Sequence, residues 1–210
     1  MASAETCLIF IRKPNKYKII MLNIAIFGAP GAGKGTQAQS IIDKYNLKYI
    51  STGNILRSEI KNGTPLGLEA KAIIEKGNLV SDELVTKIIE KFIADNRNPN
   101  GFLFDGFPRT CEQAKNLDEI LKREGMELSC LLNMDVPREE LIKRMMHRAQ
   151  VENRADDTPE VFENRLKEYE EKTFPVMEHY QNQGKVMSIS GVGSIEEIFV
   201  RLAEKIDSLL

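Results

Sequence analysis

The apolar run Leu22-Asn23-Ile24-Ala25-Ile26-Phe27 leads straight into Gly28-Ala29-Pro30-Gly31-Ala32-Gly33-Lys34-Gly35-Thr36, and a helical pattern follows. Strand, glycine-rich turn and helix in that order make a phosphate-binding loop. Glycines carry no Cβ, so consecutive backbone N–H groups can turn toward one anion. The first turn of the next helix adds unsatisfied N–H groups and the positive end of its dipole. Lys34 adds a mobile point charge. Gly28, Gly33 and Lys34 match the pattern G-x-x-x-x-G-K-[ST] up to its last position. Gly35 stands there instead, and the hydroxyl comes one residue later, at Thr36.

Apolar runs and helical periodicities alternate down the rest of the chain. Strands are expected over Leu22–Phe27, Lys48–Ile50, Gly101–Phe104, Cys130–Met134 and Val186–Ile189, each short and bounded by polar or glycine-containing turns. Helices are expected near Gly35–Tyr45, Gly53–Lys61, Leu68–Lys76, Asp82–Asn96, Thr110–Glu124, Arg138–Ala149, Pro159–Gln181 and Ile195–Leu210. Pro137 suits a first helical turn, and Ser194 with Glu197 forms a capping-box pattern. This alternation implies an α/β chain with a P-loop three-layer fold: a parallel five-stranded sheet covered by helices on both faces. Ligands of such sheets sit at the carboxyl ends of the strands, where residues 28–36 would lie. Two segments interrupt the alternation and read as small insertions. One is 51–80, with the turn Asn62-Gly63-Thr64-Pro65; the other is the polar loop 149–158.

Three further clusters carry phosphate chemistry. Asp105-Gly106-Phe107-Pro108-Arg109-Thr110 follows the third strand. A carboxylate there can hold Mg²⁺ through water, since magnesium sheds its waters reluctantly. Gly106 permits close approach by a ligand, and Arg109 offers a bidentate fork to a phosphate. Ser51-Thr52-Gly53-Asn54-Ile55-Leu56-Arg57 opens the first insertion; Thr52 or Asn54 can cap a helix. Arg57 stands near its start, where a cation is unfavourable unless it serves an anion. Arg144 and Arg148 stand four apart on one helical face, where like charges repel. Arg154 and Arg165 complete four arginines around one short loop, as a lid over polyphosphate requires. His147 and His179 read as surface residues, with no nucleophile–His–Asp arrangement around them. Phosphoryl transfer needs substrates held in line, charge neutralised on the moving group and water excluded; this inventory meets that need.

Together these motifs closely resemble the adenylate kinases, over about Met21 to Leu210. The residues that carry the resemblance are Gly28–Thr36, Ser51-Thr52-Gly53 with Arg57, Gly77-Asn78-Leu79-Val80, Asp105–Thr110 with Gln113, and the four arginines. The resemblance implies reversible Mg²⁺-dependent transfer from ATP to AMP, giving two ADP. It implies that Lys34, Arg109, Arg144, Arg154 and Arg165 serve the transfer itself. ATP would be held by Gly31, Ala32, Gly33, Lys34, Gly35 and Thr36, with Arg144, Arg148 and Gly191. AMP would be held by Thr52, Arg57, Asn78, Leu79, Val80, Gly106, Arg109, Gln113, Arg154 and Arg165. Asp105 would take the metal through water. The resemblance makes 51–80 the AMP-binding insertion and 149–158 a short lid, which has no cysteines and so is not expected to hold zinc. It also suggests a monomer. Thr52 and Gln113 face the acceptor adenine in the adenylate kinases, whereas related UMP/CMP kinases usually carry Ala and Asn there. The alternatives that remain are a UMP/CMP kinase and, from another class, a non-catalytic ATP-binding regulatory module. Two positions depart from the family pattern: Asn54, where many relatives have Asp, and His147, where a Gly commonly precedes the arginine.

Composition bounds the setting. A chain of 210 residues holds one sizeable core, and its net charge of −2 argues against a generic nucleic-acid or membrane surface. Cys7, Cys111 and Cys130 lie far apart, with neither a disulfide framework nor zinc spacing, which suits a reducing cytoplasm. Residues 1–20 are too short in apolar sequence for a signal peptide, and their charges follow the apolar stretch. They read as a dispensable extension ahead of Met21.

Overall fold

The structure is a computed structural model and describes residues 21–96, 100–152 and 158–210. The expected extension, Cys7 and Arg154 therefore lie outside the described residues. Five strands form one parallel sheet: β1 (Ile24–Phe27), β2 (Lys48–Ser51), β3 (Phe102–Asp105), β4 (Cys130–Asp135) and β5 (Val186–Ser190), in the order β2-β3-β1-β4-β5. In β1, Ile24 and Ile26 belong to one buried cluster while Ala25 and Phe27 belong to the other. Leu103 and Phe104 divide in the same way on β3, as do Leu132 and Leu131 on β4. Strand side chains alternate between faces, so a sheet buried on both sides needs apolar residues at successive positions.

Helices α1 (Lys34–Tyr45), α6 (Arg138–Glu152) and α9 (Ile195–Asp207) contribute Ile41, Met145 and Leu202 to the first cluster. Helices α4 (Asp82–Asp95), α5 (Cys111–Arg123) and α8 (Val176–Gln181) contribute Ile89, Leu117 and Tyr180 to the second. The insertion folds as α2 (Thr52–Lys61) and α3 (Pro65–Ile74), docked on the second cluster through Leu56 and Ala70. Buried Asn23 joins strand ends: Nδ2 donates to the Glu127 carbonyl (2.8 Å) and Oδ1 accepts from the Phe102 N–H (3.2 Å).

Several boundaries differ from expectation. The helix expected over Pro159–Gln181 is three pieces: α7 (Pro159–Glu168), a π-helical turn Tyr169–Thr173, and α8. Pro175 has no N–H to continue the ladder, and the Phe174 N–H reaches back to the Tyr169 carbonyl at 2.7 Å. Helix α3 starts at Pro65 because Thr64 caps it, its Oγ1 accepting from the Gly67 N–H at 3.1 Å. Ser51, and neither Thr52 nor Asn54, caps α2, accepting from the Asn54 N–H at 3.4 Å. Helix α6 runs on to Glu152, so the expected polar loop 149–158 begins as helix. The capping box at Ser194 and Glu197 forms as expected.

Candidate active site

The loop after β1 lies at the carboxyl end of the central strand, between β3 and β4. Gly28 has φ +141°, and a Cβ there would stand 2.8 Å from the Met134 carbonyl oxygen, so this bend takes no side chain. Lys34 opens α1 and curls back over the loop: Nζ donates to the carbonyls of Gly28 (2.7 Å) and Ala29 (3.0 Å). Burial among the surrounding groups pushes its pKa down to about 7. Asp105 opposes that shift, while Arg109, Arg165 and Arg148 add to it. A basic group set among guanidiniums favours an anion beside it.

Two cavities open beside this lysine. One is lined by the phosphate loop, Thr36, Asp105, Arg144, His147 and Arg148. The other is lined by Thr52, Asn78, Leu79, Val80, Gly106 and Gln113. Lys34, Arg57, Arg109 and Arg165 line both, so among the described residues four basic side chains stand where the cavities meet. Negative charge placed at that junction would be surrounded by basic groups.

Gly31, Ala32, Gly33, Gly35 and Thr36 line the first cavity. Arg144 is spent on backbone and a neighbour. Its Nη1 donates to the Ala32 carbonyl (3.2 Å), Nη2 to the Gly191 carbonyl (2.9 Å) and Nε to Glu140 Oε1 (2.8 Å). It therefore ties the phosphate loop to the segment after β5. Gly191 stands behind the wall, and Gly193 and Ile195 line the cavity in its place. Arg201 donates to the carbonyls of Ser190 and Val192, which holds the same segment from α9.

In the second cavity, Gly106 has φ +77° and its carbonyl accepts from Arg109 Nε (2.8 Å) and Thr52 Oγ1 (2.9 Å). The turn after β3 thereby seats a guanidinium and a hydroxyl side by side. Arg57 sits in mid-helix, away from the positive end of the dipole, so that end disfavours it only weakly; its Nη2 donates to Asn54 Oδ1. Asn78 Oδ1 accepts from Asn164 Nδ2 (2.8 Å), which fastens the wall segment to α7. Gln113 is almost wholly buried, and both ends of its amide are engaged.

His147 is exposed at the rim of the first cavity. His179 is half-buried rather than a free surface residue: Nε2 lies 2.7 Å from Asp118 Oδ2, between α5 and α8. Sequence reasoning missed two residues. Tyr49 on β2 donates its hydroxyl to Asp105 Oδ2 (2.8 Å), and burial with that carboxylate beside it raises the phenol pKa far above its usual value. Asp82 accepts from both Gln113 and Thr110. In the sequence each is one residue of an ordinary strand or helix start; their partners come from distant segments.

A family model described as adenylate kinase matches residues 26–185. The adenylate kinase of Bacteroides fragilis is 46% identical over 189 residues, 90% of this chain and all of the relative. That of Parabacteroides distasonis is 47% identical over the same shares of the two chains. That of Leptospira biflexa is 51% identical over 178 residues, 85% of this chain and 96% of the relative. This chain belongs to the adenylate kinase family. An adenylate kinase fold thus accounts for the five-stranded parallel sheet and for the phosphate loop on its central strand.

Asp105 suits a metal held through water. It is half-exposed, at a strand end beside the phosphate loop. Among the described residues no group of three or more His, Cys, Asp or Glu stands together. A Mg²⁺ ion bound here would take most of its ligands from water and nucleotide, which is its habit in such sites. Among the described residues, no helix is long and apolar enough to cross a membrane.

Proposed function

We propose that this protein transfers the terminal phosphoryl group of Mg-ATP to AMP, reversibly, giving two ADP. The observation that carries the reading is the meeting of two cavities at Lys34, Arg57, Arg109 and Arg165. A transferring phosphoryl group spreads charge over its oxygens, and preorganised cations there lower the barrier without covalent help.

In this reading Gly31–Thr36 cradles the ATP phosphates through backbone N–H groups, and Lys34 leaves its two carbonyl partners to follow the moving phosphate. Arg144, Arg148 and Gly191 belong to the ATP side, and Arg144 acts first by joining the phosphate loop to the segment after β5. Arg57 and Arg109 grip the AMP phosphate. Thr52, Gly106, Gln113 and the stretch Asn78, Leu79 and Val80 frame its base and sugar. Arg154 and Arg165 close over both from the lid side. Mg²⁺, held by Asp105 through water, neutralises phosphate charge when it is bound. Segment 51–80 serves as the AMP-binding insertion, 149–158 as the lid, and 1–20 is dispensable. The protein works as a cytoplasmic monomer.

Thr52 and Gln113 support AMP over a pyrimidine acceptor, and the arginines around a second phosphate site support catalysis over a passive ATP switch. The test is ADP formation from Mg-ATP with AMP, UMP, CMP and GMP as separate acceptors. Strong preference for AMP is expected. Preference for a pyrimidine overturns the acceptor assignment, and ATP binding without transfer to any acceptor overturns the enzymatic one.

A further inference from the structure

We infer that Asp82, which lies outside both cavities, sets acceptor-base specificity by fixing the orientation of the Gln113 amide. The inference rests on the reading that Gln113 faces the acceptor base. Asp82 is the first residue of α4, and its carboxylate holds two groups of α5. Oδ1 accepts from Gln113 Nε2 at 2.8 Å, and Oδ2 accepts from Thr110 Oγ1 at 3.0 Å. Thr110 in turn caps α5, its Oγ1 accepting from the Gln113 backbone N–H at 3.1 Å. At the other end of the amide, Gln113 Oε1 accepts from the Arg109 backbone N–H at 2.8 Å.

These partners leave the amide one orientation. A carboxylate only accepts and a backbone N–H only donates. Flipping the amide would set Oε1 against the carboxylate and Nε2 against the Arg109 N–H. One repulsive contact would replace each hydrogen bond, and both lie at a side chain almost closed to water. Gln113 lines the acceptor cavity and Asp82 does not. Each end of the amide keeps one unused site: the second N–H of Nε2 and the second lone pair of Oε1.

That order of donor and acceptor selects a purine with an exocyclic amine. A 6-aminopurine presents an N–H beside a ring nitrogen acceptor, which complements Oε1 and Nε2. A 6-oxopurine puts an oxygen where the amine was, so two lone pairs face each other. Asp82 is thus a positioning residue, acting through Gln113 on the choice between AMP and inosine monophosphate.

The experiment is steady-state kinetics with AMP and inosine monophosphate as acceptors. Asp82→Ala is expected to raise KM for AMP by roughly tenfold, the usual cost of losing a charged hydrogen-bond partner. Its preference for AMP over inosine monophosphate should narrow, while kcat and KM for Mg-ATP hold. Asp82→Ser, too short to reach Gln113, gives the same shift and serves if the alanine variant does not fold. Asp82→Asn restores selectivity, because an amide can offer Oδ1 to Gln113 and Nδ2 to Thr110 Oγ1. Loss in Asp82→Asn as great as in Asp82→Ala overturns the inference, since the charge and not the orientation would then matter. Equal damage to kcat and to both KM values also overturns it, as a general structural role. Gln113→Ala separates the underlying reading: unchanged selectivity there means that Gln113 does not face the base at all.

Discussion

Replacing Gly106 with alanine puts a methyl group where the turn after β3 has no room. The backbone there has φ +77°, and the new Cβ would stand 2.6 Å from Arg109 Nη2 and 3.0 Å from Thr52 Oγ1. Two costs follow and they separate. The left-handed conformation costs an L-residue about 1–2 kcal/mol, which for a chain of this length lowers Tm by roughly 2–8 °C. The steric conflict involves ends of flexible side chains rather than backbone, so it is relieved by moving them and adds little to unfolding. Moving them is what harms function. Arg109 leaves the seat fixed by its 2.8 Å bond to the Gly106 carbonyl, and Thr52 leaves its own at 2.9 Å. Losing one charge-assisted contact to a phosphate costs about 1.5–3 kcal/mol, so kcat/KM for AMP should fall roughly 10- to 150-fold. Gly125→Ala is the control: φ there is +72° and a Cβ would meet nothing within 4 Å. Thermal unfolding and initial rates on both variants decide the matter. Both should lose similar Tm, and only Gly106→Ala should lose activity, chiefly through KM for AMP. Equal Tm losses with full activity in both would refute the seat assigned to Arg109 and Thr52.

Three further outcomes are expected. Lys34 has a pKa lowered to about 7, and an added polyphosphate favours its charged form. Nucleotide binding at pH 8 should therefore take up protons, visible as a buffer-dependent calorimetric enthalpy that Lys34→Met abolishes; buffer independence at pH 8 would sink this. By the same linkage, the folded state binds fewer protons than the unfolded one between pH about 7 and the usual lysine value. Lys34 alone thus makes stability rise with pH across that window. Asn54 and Asp105 line the same cavity as the phosphate loop, and Asn54→Asp would add a carboxylate there. It should reach half-maximal rate at lower Mg²⁺, and identical magnesium titrations of the two proteins would contradict the idea.

Much of this protein is legible one segment at a time. The phosphate loop is local, because strand, glycines, lysine and helix start are contiguous. The strand positions follow from short apolar runs, and the capping box at Ser194 from two residues on one turn. Local signals also mislead where competing caps lie close together. Ser51 caps α2, although Thr52 or Asn54 is the cap expected from the sequence, and Thr52 reaches Gly106 instead. Pro175 marked a break in the long helical pattern that periodicity alone ran through.

The fold class and the phosphate loop are legible along the chain, because each depends on neighbouring residues. Which basic side chains meet follows from packing. The meeting of two cavities at Lys34, Arg57, Arg109 and Arg165 depends on β1 and β3 lying side by side in a sheet whose order departs from chain order. Tyr49 reaches Asp105 across 56 positions, and Asp82 reaches Gln113 across 31. No periodicity or motif records such pairs. A hydrogen bond constrains two atoms in space, and the chain between them leaves no trace of it in either segment.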